Sequence, residues 1–184
     1  MSSAGRPCGR CQRRPPPWNA AFAAFHYAWP VDQAIHRFKY RRNWALGRTL
    51  ALAMRYRIHQ SPVALPAALV PVPMSRRRFA QRGFNHARML ADDIGRGCRI
   101  PVIDGLRRIR HTRPQSGRGA GERRRSQRNT FRWHGTAPPE HVVVVDDVMT
   151  TGATAAACTI ALQRAGCRRV DVWVLARAAD GGFR

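Results

Sequence analysis

The apolar positions along this chain change period repeatedly, and the changes predict alternating strands and helices. Val142 to Val145 is an unbroken β-branched run, the pattern of a strand covered on both faces of a parallel sheet. Val170 to Leu175 repeats that character as a final buried strand. Leu69 to Val72 reads as a shorter one, bracketed by Pro66, Pro71 and Pro73. Elsewhere the spacing becomes helical. Asp32 is a candidate cap ahead of Ile35 and Phe38 at three-residue spacing. A second helix is predicted from Trp44 to about Arg57, with Leu46, Leu50, Ala53 and Met54 on its apolar stripe. A third runs from Asn85 to Gly95 with Ala87, Leu90, Ala91 and Ile94 facing inward, and a fourth from Thr154 to near Gly166. Ala20 to Trp29 is apolar with no deciding period, so a strand and a short buried element both stay open. Val102 to Ile109 is a further candidate strand, and Phe131 and Trp133 resume order ahead of Val142. Strands alternating with helices predict an α/β domain, with a mostly parallel central sheet flanked by helices.

Three stretches lack this patterning. Residues 1–19 are rich in Arg, Gly and Pro and should be extended or poorly ordered. Residues 75–83, SRRRFAQRG, read as a basic loop. Residues 110–128 hold mostly Arg, Gly and Ser with no apolar period, and a loop of that length in a compact domain is usually functional or mobile. The expected organisation is a short basic N-terminal extension over 1–30 and a single main domain over 31–184.

Composition narrows the class. At 184 residues and 44% hydrophobic content the chain can bury one substantial core. No uncharged apolar run approaches the roughly 18 residues a membrane helix needs. The first residues, MSSAGRPCGRC, show no apolar signal segment, so no membrane insertion and a cytoplasmic location are the expectation. The net charge is +23, and among 33 basic residues Lys39 is the lone lysine. Such a field attracts polyanions, nucleic acid included, with Arg76, Arg77 and Arg78 the candidate contacts. No aromatic platform interleaves with the charge runs, so base stacking is not evident from sequence. Cys98, Cys158 and Cys167 are scattered and read as ordinary buried thiols. Cys8 and Cys11 form one C-x-x-C without a second pair. They look like a vestigial zinc half-site, and zinc is not expected in this chain.

The candidate chemistry centres on residues 142–154, VVVVDDVMTTGAT. Asp146 and Asp147 follow the apolar run, at the carboxyl edge where open α/β sheets place their ligands. Thr150, Thr151, Gly152, Ala153 and Thr154 open the next helix, whose free N–H groups and dipole favour an anion. Carboxylates would repel a phosphate, so they suit the hydroxyls of a sugar carried on it. Together they describe a ribose 5-phosphate. An Asp before a helix can also be no more than a cap.

The full string closely resembles the PRPP (ribose 5-phosphate diphosphate) fingerprint of type I phosphoribosyltransferases. With HRFKYRRNWALG, VPVPMSRRRFAQRGFNHA and RHTRPQSG in the same order, nearly the whole chain is similar to the ComF family of competence-associated, phosphoribosyltransferase-like proteins. The resemblance implies that Asp146 and Asp147 hold the ribose hydroxyls and serve catalysis, while Thr150 to Thr154 wrap the 5-phosphate. Met74, Ser75 and Arg76 would grip pyrophosphate, and Mg2+ would be carried by PRPP rather than by protein ligands. A mobile loop over 110–128 would bring Arg113, Gln115 and Arg123 to the ligand. Lys39 and Tyr40 match the family's KY element, although a surface role for Lys39 stays open. The implied partners are PRPP or a nucleotide, single-stranded DNA and competence proteins. The implied function is PRPP-dependent phosphoribosyl transfer linked to DNA uptake or use of DNA-derived nucleobases. A non-catalytic single-strand-binding competence factor and a PRPP or nucleotide sensor are the alternatives. No residue of the sequence marks an acceptor.

Overall fold

The computed structural model describes residues 15–41, 43–109 and 130–178. Its framework is a four-stranded, all-parallel sheet built from β1 (Ala21–His26), β2 (Ala68–Pro71), β5 (His141–Met149) and β6 (Arg169–Arg177), in the order β1-β6-β5-β2. The two most apolar strands take the two central places, as burial on both faces requires. Val142 to Val145 are fully buried, and so are Val170, Val172 and Leu175. The residues preceding β1 are tied to β6: the Asn19 backbone N–H donates to Val170 O at 2.8 Å, and the Val170 N–H donates to Asn19 Oδ1 at 2.9 Å.

Alternation along β5 sorts its side chains into two cores. Val143 and Val145 pack on the side of α1 (Val31–Tyr40), α2 (Trp44–His59) and α4 (His86–Cys98). Val142 and Val144 pack on the side of α5 (Ala153–Arg164) and an antiparallel pair formed by β3 (Leu106–Arg108) and β4 (Phe131–Trp133). A strand two residues past Val145 therefore sends neighbouring acids toward different surroundings.

Several expectations change in detail. The basic stretch read as a loop is a helix, α3 (Arg76–Arg82). Ser75 Oγ accepts the Arg78 N–H at its start, and Gly83 at φ 82° ends it in the left-handed conformation open to glycine. Charge alone hid both signals. Asp32 lies inside the first turn of α1, and Pro30 holds the cap position. β5 extends four residues beyond the valine run and includes both aspartates. The segment 1–30, read as an extension, supplies the edge strand β1 to the main sheet. Cys158 and Cys167 are buried thiols, and Cys98 is half-buried. Among the described residues no helix is long and apolar enough to cross a membrane. Cys8, Cys11, Arg113, Gln115 and Arg123 lie outside the described residues.

Candidate functional site

Asp146 and the turn after β5 meet around one small cavity. It measures about 40 Å³, and its walls come from Asp146, Val148, Thr150, Thr151, Gly152, Ala153 and Thr154, with Val174 behind. The volume suits a phosphate group rather than a nucleotide. The turn has the backbone an anion site needs. Gly152 precedes α5 at φ 74° with no side-chain cap, and Thr151 Oγ1 accepts the Ala153 N–H at 3.4 Å. Glycine is required at position 152 for two reasons. Its φ is left-handed, and a Cβ there would lie 2.8 Å from Cη2 of Trp18. The space freed by the missing side chain is thus taken by an indole ring from the N-terminal segment.

The two aspartates part company at this point. Asp146 turns toward the α5 side, where burial is the main force on its carboxyl. Removal from water, with repulsion from Asp147 second, pushes it up to about 7; the Asp147 N–H, Lys39 and Arg78 oppose the rise. Its Oδ1 accepts the Asp147 N–H at 2.9 Å. Asp147 turns toward α1 and α4, where its Oδ1 meets Lys39 Nζ at 2.9 Å with both side chains largely buried. A surface role for Lys39 is therefore ruled out: the lone lysine is the cation of the acid pair. One oxygen of each acid is committed within the protein. Among the described residues no hydrogen bond to either Oδ2 is found, which leaves two acceptors for two hydroxyls.

Behind Asp147 lies a residue that sequence reasoning missed. His86 is 0% exposed, and among the described residues neither ring nitrogen has a well-formed hydrogen-bond partner. It is packed edge-on to Phe38 at 4.8 Å between centroids and against Phe84 at 4.4 Å. Burial pulls it down to about 4, with the Arg82 and Lys39 charges assisting, against the raising effects of Asp147 and of the Lys39 backbone. The imidazole is thus neutral at pH 7. A buried polar ring without well-formed partners costs stability, and this one stands in the electrostatic neighbourhood of the acid pair. Next to Lys39, the Tyr40 hydroxyl accepts from Arg82 Nη2 at 3.0 Å, and the same guanidinium lies 4.9 Å from the Tyr40 ring centroid.

The expected pyrophosphate grip sits at the end of β2. Met74 and Ser75 are half-buried and Arg76 is exposed, but the Ser75 hydroxyl is already engaged in capping α3. Arg77 and Arg78 are exposed on the same short helix. The absence of an aromatic platform among the charge runs is corrected by the fold. Phe79 within α3 is 53% exposed, and Trp44 from α2 comes to 4.1 Å from the Phe84 ring just beyond α3. Trp44 is remote in sequence from Phe79 and Phe84, so only tertiary packing brings it to them. Among the described residues no group of three or more His, Cys, Asp or Glu could hold a metal ion.

The described residues thus form a parallel α/β sheet with an acid pair and a glycine turn opening a helix at the end of a central strand. The chain belongs to the ComF family. It is 35% identical over 179 residues to "Competence protein F" of Haemophilus influenzae, spanning 93% of this chain and 78% of that protein. It is 36% identical to "DNA utilization protein YhgH" of Escherichia coli K12, with the same coverages. The Streptococcus pneumoniae "Competence protein ComFC" is 27% identical over 84% of this chain and 67% of that one. No family model matches the chain. Among solved structures, a purine phosphoribosyltransferase from Pyrococcus horikoshii aligns over 89% of this chain and 96% of its own, at TM-score 0.41 and 13% identity. That overlap is too loose to compare sites.

Proposed function

We propose that this protein binds PRPP with Mg2+ at the carboxyl end of β5 and uses it for phosphoribosyl transfer. The observation that carries the reading is the shared cavity: Asp146 and residues 150–154 line one space of phosphate size. The 5-phosphate would sit against the first N–H groups of α5, where the dipole favours negative charge. The unpaired carboxylate oxygens of Asp146 and Asp147 would accept the ribose hydroxyls. Pyrophosphate would lie toward Met74, Ser75 and Arg76, and Arg76 offers charge-assisted bonds. The donor set suits a magnesium ion that arrives on the ligand. The two acids diverge, and each already has one oxygen committed, so they make a poor cage for a hard cation that prefers octahedral oxygen geometry. When bound, the ion would neutralise charge on the departing pyrophosphate.

Titration calorimetry with PRPP and Mg2+ tests this. Wild-type protein should bind, chelation of the metal should weaken binding, and Asp146→Asn with Asp147→Asn should abolish it without unfolding the chain. Equal affinity in the double variant would remove the assignment.

The relatives named for competence and DNA utilisation favour a second, compatible reading, in which the same protein takes part in DNA uptake or in use of DNA-derived nucleobases. The exposed arginines of α3 support contact with single strands through phosphate charge. Affinity for an oligonucleotide should then fall steeply with salt and weaken when Arg76 to Arg78 are neutralised. A flat salt response excludes it.

A further inference from the structure

The residues just ahead of β1 reach the phosphate turn, and they are tied to the main sheet and to α5 on both sides of Trp18. Gln163 Nε2, near the end of α5, donates to Pro17 O at 2.9 Å. Asn19 exchanges two hydrogen bonds with Val170, and the Val172 N–H donates to Ala20 O at 2.9 Å. Trp18 lies between these anchors, half-buried against the α5-side core. It presents the outer edge of its six-membered ring to Gly152. Atoms Cη2, Cζ3 and Cζ2 lie 2.8, 3.6 and 3.7 Å from the position a Cβ on Gly152 would take. The ring is not among the walls of the 40 Å³ cavity, whereas Gly152 and its neighbours are. The glycine therefore links the indole to the phosphate-sized space.

That turn has little to hold its own shape. Glycine ranges more freely over backbone conformations than any other residue, so its own sterics do not keep Gly152 at φ 74°. No side chain caps the start of α5, and the bond from the Ala153 N–H to Thr151 Oγ1 is long at 3.4 Å. A flat, rigid ring set close against the glycine, on a backbone anchored to β6 and α5, supplies restraint from outside the turn.

From this contact we infer that Trp18 is a positioning residue for the 5-phosphate: its indole holds the Gly152 turn in the shape that leaves a phosphate-sized space before the first N–H groups of α5. The inference rests on the PRPP reading above. It assigns support of the ribose 5-phosphate end to residues 17–20, and gives them no part at the pyrophosphate end, which lies toward β2.

The test measures, by calorimetry on the full chain, the affinities of ribose 5-phosphate, of PRPP with Mg2+ and of inorganic pyrophosphate with Mg2+. In Trp18→Ala the first two should weaken by about tenfold or more, the scale on which a small displacement behind a site is felt. Pyrophosphate should bind that variant as it binds wild type. Gly152→Ala puts a Cβ against the indole, so it should cost ribose 5-phosphate a larger factor in wild type than in Trp18→Ala, where the space is open. Trp18→Phe keeps a ring and should recover most of the affinity. It also serves if Trp18→Ala misfolds: ribose 5-phosphate should change the indole emission of wild type, and Trp18→Phe should lose that change. Unaltered ribose 5-phosphate affinity in Trp18→Ala, equal losses for all three ligands, additive effects of the two substitutions, or an emission change that persists in Trp18→Phe overturns the positioning role and leaves the PRPP reading standing. Wild-type protein that binds neither ribose 5-phosphate nor PRPP sinks the PRPP reading, and the role of Trp18 goes with it.

Discussion

Asp146 and Asp147 are neighbours in the chain and occupy opposite electrostatic worlds. Asp147 has a lysine at 2.9 Å. Asp146 has burial, a like charge beside it and one backbone N–H, and its carboxyl rises to about 7. The cause is strand alternation: one acid faces α1 and α4, the other α5. The difference teaches that a paired-acid motif need not work as a pair of equals. Asp147 is held in an ion pair, whereas Asp146 changes charge near neutrality and is the one that lines the phosphate-sized cavity.

The largest effect is expected from breaking the fixed side. Lys39→Met leaves Asp147 buried beside another acid with no cation, and should destabilise the protein by about 3 kcal/mol, the lower end for removing one partner of a buried pair. A second change, Asp147→Asn, should restore most of that loss. Chemical denaturation of the single and double variants measures the coupling. If Lys39→Met is as stable as wild type, the ion pair does not fix Asp147.

Comparable in size is the pH dependence of stability, where the two sides of β5 act in opposite senses. Asp146 has a folded value near 7 against an ordinary 3.8, so between those limits the folded state holds the extra proton and stability falls as pH rises. His86 has a folded value near 4 against an ordinary 6.5. Between those limits the unfolded state holds the extra proton, and stability rises with pH. From pH 4 to 6.5 the two slopes offset one another, each being about 1.4 kcal/mol per pH unit at full strength. Each variant therefore unmasks the other group. Asp146→Asn should become more stable with rising pH over this window, and His86→Leu less stable, when thermal melts are compared with wild type at each pH. Parallel curves for all three proteins would show that neither group titrates as described.

Much of this was readable from sequence, and the exceptions have physical reasons. The β5–turn–α5 unit was legible because burial on both faces demands an uninterrupted β-branched run and a left-handed turn demands glycine. The start of α3 was not, since a serine cap followed by three arginines looks like a solvated loop. Lys39 offered its rarity and its match to the KY element; its role depends on α1 laying Nζ against a strand far along the chain. His86 and Trp44 carried no local signal at all. Only packing against Phe38 and Phe84 shows the histidine after Asn85 to be buried.

A smaller effect concerns ligand binding on the titrating side. A ribose hydroxyl donates its proton, so it needs Asp146 as the carboxylate. PRPP affinity should rise as pH passes through about 7, and Asp146→Asn should lose that rise while keeping whatever dependence PRPP itself contributes. Calorimetry at pH 6 and 8 in both proteins separates the two.

The smallest effect sharpens the comparison furthest. Arg78 is the weakest of the influences that favour the Asp146 carboxylate, and it acts from an exposed helix. Arg78→Gln should move the midpoint of the PRPP pH profile slightly upward, because one source of positive potential is lost. Added salt should produce the same shift in wild type and little in the variant, since an exposed charge is screened while a buried pair is not. Lys39 acts on Asp147 across 2.9 Å in a largely buried pair, so its influence should persist in salt. An equal response of Arg78→Gln and wild-type profiles to salt would place Arg78 out of reach of Asp146, and the carboxyl would then owe its position to burial and Asp147 alone.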